Sequence, residues 1–443
     1  MSTLSTMFLS LLNHVCAVVL AICVGTSAVT QAASVSLPSY PLAVKHPYLS
    51  AWLPGNQAPN VAASQPQFWT GQSLNWPVLA RINGQAYSLF GVPDAVSGIV
   101  AATTQSVSYT SSHTYFRLLA GAAEITLDFF SPVLPKAEDY VRQSLPYSYL
   151  TVSVVSTNGK TLSVQVLSGI DQTWTAQGGA SQLNFTSSGS AEYFQFHNRS
   201  EIKFTEANDM ATYGTVVFAT SAGAGLTSTC GAASTVYSTF VKTGALTQSR
   251  TCSGESLAAF ASNLGKIAGA AKNFTFAVGF DRTDAIDYLG QTQTGYYRSQ
   301  WPTISGAVQY FLKDYSNALA QSFAFDNEIR SKSEAVSTAF GTQYADIVEA
   351  SVRQTFGALE LTVPASDLSA TPSVFLKEIS SDGNVNTIDL IFQSWPVFVS
   401  LNPDYIRFLL EPVLSYSGLP SSQGWPQSWV IHDIGTRKPE NVP

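Results

Sequence analysis

The stretch from Phe375 to Gly435 reads FLKEISSDGNVNTIDLIFQSWPVFVSLNPDYIRFLLEPVLSYSGLPSSQGWPQSWVIHDIG. Its reading decides the fold of the second half of the chain. Two apolar runs of helical length, roughly Thr387 to Ser400 and Pro403 to Ser417, stand between polar blocks. Asp382-Gly383-Asn384 has turn chemistry, because Asp bonds its own backbone and Gly supplies positive φ. Asn402-Pro403 is a helix start, with Asn as N-cap and Pro at the first helical position. Acid is concentrated here as well: Glu378, Asp382, Asp389, Asp404, Glu411 and Asp433, with His432 among them. Charged residues are only 12% of the whole chain, so this clustering raises a functional question.

Working towards the N-terminus, Leu359 to Val363 and Val374 to Ile379 read as a hairpin. Before it, Tyr344, Ile347, Val348, Val352, Phe356 and Leu359 fall at helical spacing. A longer amphipathic helix follows Trp301-Pro302 and carries Ile304, Val308, Phe311, Leu312, Tyr315, Leu319 and Phe323 on one face. Upstream of Phe280 the period changes to two. His113 to Ala120, Glu124 to Phe129, Leu150 to Val154, Leu162 to Val166, Thr212 to Ala219 and Phe274 to Phe280 alternate polar and apolar. Many short strands at close spacing predict a β-sandwich. Thr157-Asn158-Gly159-Lys160 predicts a hairpin between two of them. Ser34 to Thr70, rich in Pro, Gly and aromatics, predicts an extended arm. The domain division is therefore 1–33, 34–290 and 291–443. Asp281, Asp284 and Asp287 at the junction are expected to be solvated linker charges.

Composition narrows the class. A chain of 443 residues can bury a sizeable core. Its charged fraction is about half the usual value, and Ser, Thr, Asn and Gln supply the missing surface polarity. A net charge of −7 argues against nucleic acid, whose phosphates need clustered Lys and Arg. Met7 to Val24 is mostly apolar, and small residues follow at Thr30 to Ala33. Residues 1–33 are expected to be a signal peptide, with an uncleaved anchor as the alternative. No Lys or Arg precedes the apolar run. Cys16 and Cys23 lie inside it. Cys230 and Cys252 remain, a disulfide in an oxidising compartment or two buried thiols. Sequons at Asn184, Asn198 and Asn273 fit export and N-glycosylation. An extracellular location, with cell-wall association left open, is the expectation.

Common hydrolase motifs are absent. The sequence has no G-x-S-x-G elbow, no H-E-x-x-H and no phosphate loop. Its five His show no metal-ligand spacing, so neither metal nor cofactor is expected. Ser200-Glu-Ile-Lys203 matches S-x-x-K at the level of chance. Carboxylates remain, and two of them can divide acid and base work when their environments differ. Glu378 and Asp382 flank a turn after a strand, and Asp433 follows an apolar run. His432 could orient or deprotonate a water, or simply be a satisfied, partly buried His. Asp382, Asp433, Glu378 and His432 are the candidate catalytic residues. Trp395, Trp425 and Trp429 suit either packing or stacking on sugar rings.

Several segments resemble the fungal secreted glutaminase family of the glutaminase A type. They are Tyr40-Pro-Leu-Ala-Val-Lys-His-Pro-Tyr-Leu-Ser-Ala-Trp-Leu-Pro-Gly55, Tyr87 to Pro93, Leu127 to Pro132, Arg142 to Leu150, Arg353 to Glu360, Phe375 to Val385 and Ile431-His-Asp-Ile-Gly435. The resemblance implies an N-terminal β-sandwich joined to an (α/α) toroid of the six-hairpin glycosidase kind. It also implies hydrolysis of L-glutamine to L-glutamate and ammonia. Family members continue past the His-Asp-(Leu/Ile)-Gly block, so the toroid here is expected to be incomplete and the activity of this chain alone is open. Two other readings stand beside this one. The first is a glycoside hydrolase or carbohydrate-binding protein of six-hairpin type, with a glycan in place of glutamine. The second is a non-enzymatic wall-associated protein.

Overall fold

Alternating strands need a second apolar layer to cover their inward faces. The computed structural model describes residues 36–91, 96–176, 181–379, 383–420 and 425–435. In it, two sheets face each other across a core of Trp76, Phe90, Phe116, Phe129, Phe194, Phe196 and Phe218. The larger sheet has eight strands among the described residues. From one edge to the other they are Ser181–Ser188, Ala191–Asn198, Thr215–Ser221, Lys272–Asp281, Tyr147–Ser156, Ala123–Phe130, His113–Ala120 and Thr103–Tyr109. The smaller has six: Leu226–Gly231, Leu257–Ile267, Leu162–Ile170, Val78–Ile82, Gln85–Phe90 and Ile99–Ala101. The sandwich predicted from the period-two pattern is present.

Three details correct the sequence reading. The strands ending at Ser156 and starting at Leu162 do not form a hairpin, because they belong to different sheets. Gly159 has φ +71° and Asn158 accepts from Lys160 N at 3.0 Å, so the turn carries the chain between layers. The alternation of each strand is satisfied by the shared interlayer core, and turn chemistry cannot distinguish that from pairing. Asp281, expected in solvent, is buried beneath Arg298 and accepts from Tyr297 OH at 2.7 Å. The opening arm is not simply extended. Ser39–His46, Leu49–Pro54 and Gln67–Phe68 form a three-stranded sheet.

Two helices decorate the sandwich, α1 (Tyr140–Gln143) and α2 (Ala233–Thr243). Cys230 and Cys252 are joined as a disulfide beside α2. The helical half follows, with α3 (Ile304–Glu334), α4 (Gly341–Gly357), α5 (Ile388–Leu401) and α6 (Asp404–Ser417). Thr303 caps α3 by accepting from Gly306 N. Ala307, Val308 and Phe311 of α3 pack on the outer face of the larger sheet, where Phe311 stacks on Tyr149 with ring centroids 3.9 Å apart. Asn402 Oδ1 accepts from Asp404 N at the start of α6, one residue later than the sequence suggests. Phe356, Phe398, Tyr405 and Leu409 of α4, α5 and α6 form a second core.

The residue 290/291 division falls inside a hairpin. Ile286–Tyr288 and Gln291–Gly295 pair, and the latter continues to Leu359–Pro364 and Ser373–Leu376 as one four-stranded sheet. This sheet stitches the sandwich to the helical half. Residues 1–33, with the signal expectation and Cys16 and Cys23, lie outside the described residues. Among the described residues, no helix is long and apolar enough to cross a membrane.

Candidate active site

The strand Ser373–Leu376 runs directly into the acidic block. Lys377 forms a β-bridge with Val385, and Glu378 N donates to Asn384 O at 2.8 Å. Gly383 turns the chain at φ +74°. A Cβ there would stand 2.3 Å from Asp209 Oδ1 and 2.8 Å from Lys377 Nζ. Asn386, at φ +50°, braces the base of this loop. Its Oδ1 accepts from Leu376 N at 2.7 Å, and its Nδ2 donates to Leu409 O of α6 at 2.9 Å.

The chain's last described segment is laid against this loop. Val385 N donates to Gly435 O, Ile434 N to Val385 O and Ile388 N to His432 O. Ile431 and Ile434 are buried and anchor it, which leaves His432 pointing outward at 65% exposure. His432 Nδ1 lies 2.8 Å from Asp433 Oδ2, and Asn384 Nδ2 donates to the same oxygen at 3.3 Å. Asp433 Oδ1 accepts from Gly435 N at 2.7 Å. His432 Nε2 stands 3.7 Å from Asp389 Oδ1.

The hydrogen bond to Asp433 raises the His432 pKa above its usual value. Burial opposes this, and the charges of Asp433, Asp389 and Glu378 add to it. With Nδ1–H held by Asp433, the neutral ring offers its Nε2 lone pair to solvent. Three of the four candidates, Glu378, His432 and Asp433, are therefore brought together, and Asp389 joins them. Asp382 lies outside the described residues. Of the remaining acids in the stretch, Glu411 sits on the exposed side of α6 opposite Arg407. Among the described residues, no group of three or more His, Cys, Asp or Glu is placed to hold a metal ion.

One feature of the site was not legible. Lys377, 2% exposed, donates to Glu206 Oε1 and Oε2 at 3.0 and 3.1 Å and to Gly383 O at 2.8 Å. Asp209 lies 3.7 Å away, and Tyr48 OH donates to Glu206 at 2.6 Å. Glu206 and Asp209 belong to a small hairpin of the sandwich, with Asn208 and Asp209 at φ +50° and +60°. The sandwich thus grips the acidic loop through a buried cation. The partner lies 171 residues upstream, beyond the reach of any local pattern.

A cleft of about 610 Å³ opens on the other side of Lys377. Trp52, Phe68 and Trp69 form one wall, and Ser351 and Gln354 of α4 with Gln393 of α5 form the other. Arg353 lies beneath, donating to Ser131 O and Oγ at 3.2 and 3.0 Å, and burial lowers its pKa to about 10. Among the described residues, no carboxylate lines the cleft.

Sandwich, stitching sheet and helical hairpins define a protein that couples a β-sandwich to a helical-hairpin domain. Two family descriptions match it: a domain of unknown function (DUF5127) over residues 112–332, and a glutaminase A six helical-hairpin domain over residues 341–442. Residues 341–442 thus match a glutaminase A domain, and the chain is related to glutaminases over most of its length. It is 32% identical over 422 residues to glutaminase A of Aspergillus oryzae, covering 91% of this chain and 59% of that protein. It is 28% identical over 463 residues to a probable glutaminase of Arthroderma benhamiae, covering 95% of this chain and 51% of that one. The chain thus spans little more than half the length of these relatives. A bacterial glucoamylase complexed with acarbose is similar in structure over 87% of this chain and 50% of that one, with 10% identity and a TM-score of 0.43.

Proposed function

We propose that this chain is a glutaminase-type amidohydrolase unit whose water-activating group is the His432–Asp433 pair. The reaction is L-glutamine plus water to L-glutamate and ammonia. The observation that carries the reading is the 2.8 Å contact between His432 Nδ1 and Asp433 Oδ2, in a chain related to glutaminases over nearly its whole length. Asp433 fixes the imidazole tautomer and orients the ring. His432 Nε2 takes a proton from water as the oxygen attacks the side-chain carboxamide carbon. The C–N bond then breaks, and the same proton passes to the departing nitrogen. Glu378 and Asp389 stabilise the imidazolium formed between these steps.

Export belongs to this proposal. Asn184 and Asn273 are exposed on the sandwich, while Asn198 is half-buried and donates through Nδ2 to Ala176 O at 3.3 Å. The first two are the better acceptors for a glycan. The substrate is a small molecule in this reading, and the glycan alternative is decided by assay. Ammonia release from L-glutamine, and displacement of the His432 ring NMR signals by L-glutamine, are expected. Reducing sugar from oligosaccharides without ammonia would overturn the reading.

A further inference from the structure

The α3–α4 hairpin meets the sandwich through buried charge. Thr110 Oγ1 and Ser112 Oγ both donate to Asp326 Oδ2 of α3 at 2.6 Å. Tyr109 OH donates to Asp346 O of α4 at 3.1 Å. His113 stacks on Phe323 of α3, and Arg353 of α4 reaches Ser131. Behind these contacts Asp346 and Glu349, both fully buried, accept from one nitrogen, Arg330 Nη1, at 2.9 and 2.8 Å. Arg330 Nε donates to the partly exposed Glu334 at 2.9 Å, so one guanidinium serves three carboxylates. Among the described residues, Asp326 Oδ1 and Glu349 Oε1 have no hydrogen-bond partner.

The charges here do not balance. From α3 come Asp326, Glu334 and Arg330, from α4 Asp346, Glu349 and Arg353, and from the sandwich Asp128 with His113. Tyr109, neutral because burial raises its pKa, also faces Asp346 and Glu349. Five carboxylates thus meet two guanidinium groups and one imidazole. An ionised carboxylate without a cation of its own is costly to bury, and a proton removes that cost. Arg330 is already shared with Asp346 and Glu334, so Glu349 is the group left to hold the proton. Burial outweighs Arg330 and raises its pKa from 4.5 to about 8. Tyr109, Thr110 and Arg353 line the cleft, which brings solvent to the edge of the cluster.

We propose that this contact is a proton-held latch, in which the α3–α4 hairpin is closed on residues 109–113 while Glu349 is neutral and is loosened when Glu349 ionises. Closure is at full strength below about 4.5 and weakens as pH rises to about 8. The opening reaches the acidic loop, because Lys377 N donates to Ala358 O, the cap of α4, at 3.0 Å. Its effect on turnover rests on the function proposed above. The latch itself does not.

The test is amide hydrogen exchange of the whole chain between about pH 5 and about pH 9, read by peptide after correction for the intrinsic rate. Protection of residues 109–113, 322–330 and 346–358, and of Lys377, should fall roughly thirtyfold from about pH 5 to about pH 8 and then level. Leu162–Ile170, in the smaller sheet, should keep its protection. In Glu349→Gln the fall should vanish, whereas Glu124→Gln, in the exposed pair with Arg117, should retain it. Flat protection in the unsubstituted chain would overturn the proposal. A fall shared equally by every peptide would overturn it too, since that is global unfolding. An unaltered fall in Glu349→Gln would place the proton on another group and do the same. Should Glu349→Gln not fold, the profile of the unsubstituted chain decides alone. The expected exchange pattern without ammonia release from L-glutamine at any pH would support the latch and remove the glutaminase reading.

Discussion

His432 and Asp433 are the residues on which the chemistry turns, and their protonation is open to direct test. The hydrogen bond that His432 donates to Asp433 raises the His432 pKa in the folded chain. A raised folded pKa stabilises the fold below the unfolded value of about 6.5, and that stabilisation is lost as pH rises through the folded value. For catalysis the neutral ring is the active form, so activity should climb through the same raised value. Asp433→Asn should move the NMR titration midpoint of His432 to lower pH, together with the ascending limb of the pH–rate profile. An unchanged midpoint would show that Asp433 does not hold the ring. Glu349 offers a second test. It is fully buried, and burial outweighs the Arg330 charge 2.8 Å from it, raising its pKa from 4.5 to about 8. The folded state therefore binds a proton that the unfolded state releases between those values. Stability should fall as pH rises from about 4.5 to about 8, by about 2 kcal/mol after allowance for relaxation around the carboxyl. Glu349→Gln should flatten that slope in urea denaturation, and an equally steep slope in the variant would contradict the assignment.

Elements were legible where one periodicity ruled. The four helices described after Trp301 and the hairpin at 359–376 stand where the sequence places them, because Phe311, Val352, Phe356, Phe398 and Tyr405 face real cores. The turn at Asn158 was misread because alternation shows which face is buried and not which strand lies alongside. Asp281 was misread because its partner Arg298 arrives from beyond the two strands that follow it. At the site, Glu378, His432 and Asp433 stood out because charge is concentrated in this stretch of a charge-poor chain. Lys377 gave no signal, since Glu206 and Asp209 reach it from another domain. The acidic loop depends on that contact. Lys377→Met would leave Glu206 half-enclosed without its cation and should cost about 3 kcal/mol, read from urea denaturation. The same variant should also disturb the NMR signals of Asn384 and His432. Loss of less than about 0.5 kcal/mol would mean that the loop holds its own shape.

At the scale of the molecule, a sandwich supports one side of an acidic loop, and helices α4, α5 and α6 support the other. The four-stranded sheet joins these halves, so the loop is held by rigid elements on both sides. Sequence patterning indicated the helices but not which apolar side chains stay exposed, because Phe392 and Phe398 look alike until the core is assembled around one of them. The most direct measurement is ammonia release from L-glutamine by the chain, compared with the same chain carrying Asp433→Asn. The account predicts turnover in the first and a loss of about a hundredfold or more in the second, the scale of a displaced general base. Equal turnover in the two proteins would place the chemistry away from His432 and Asp433 and contradict the account.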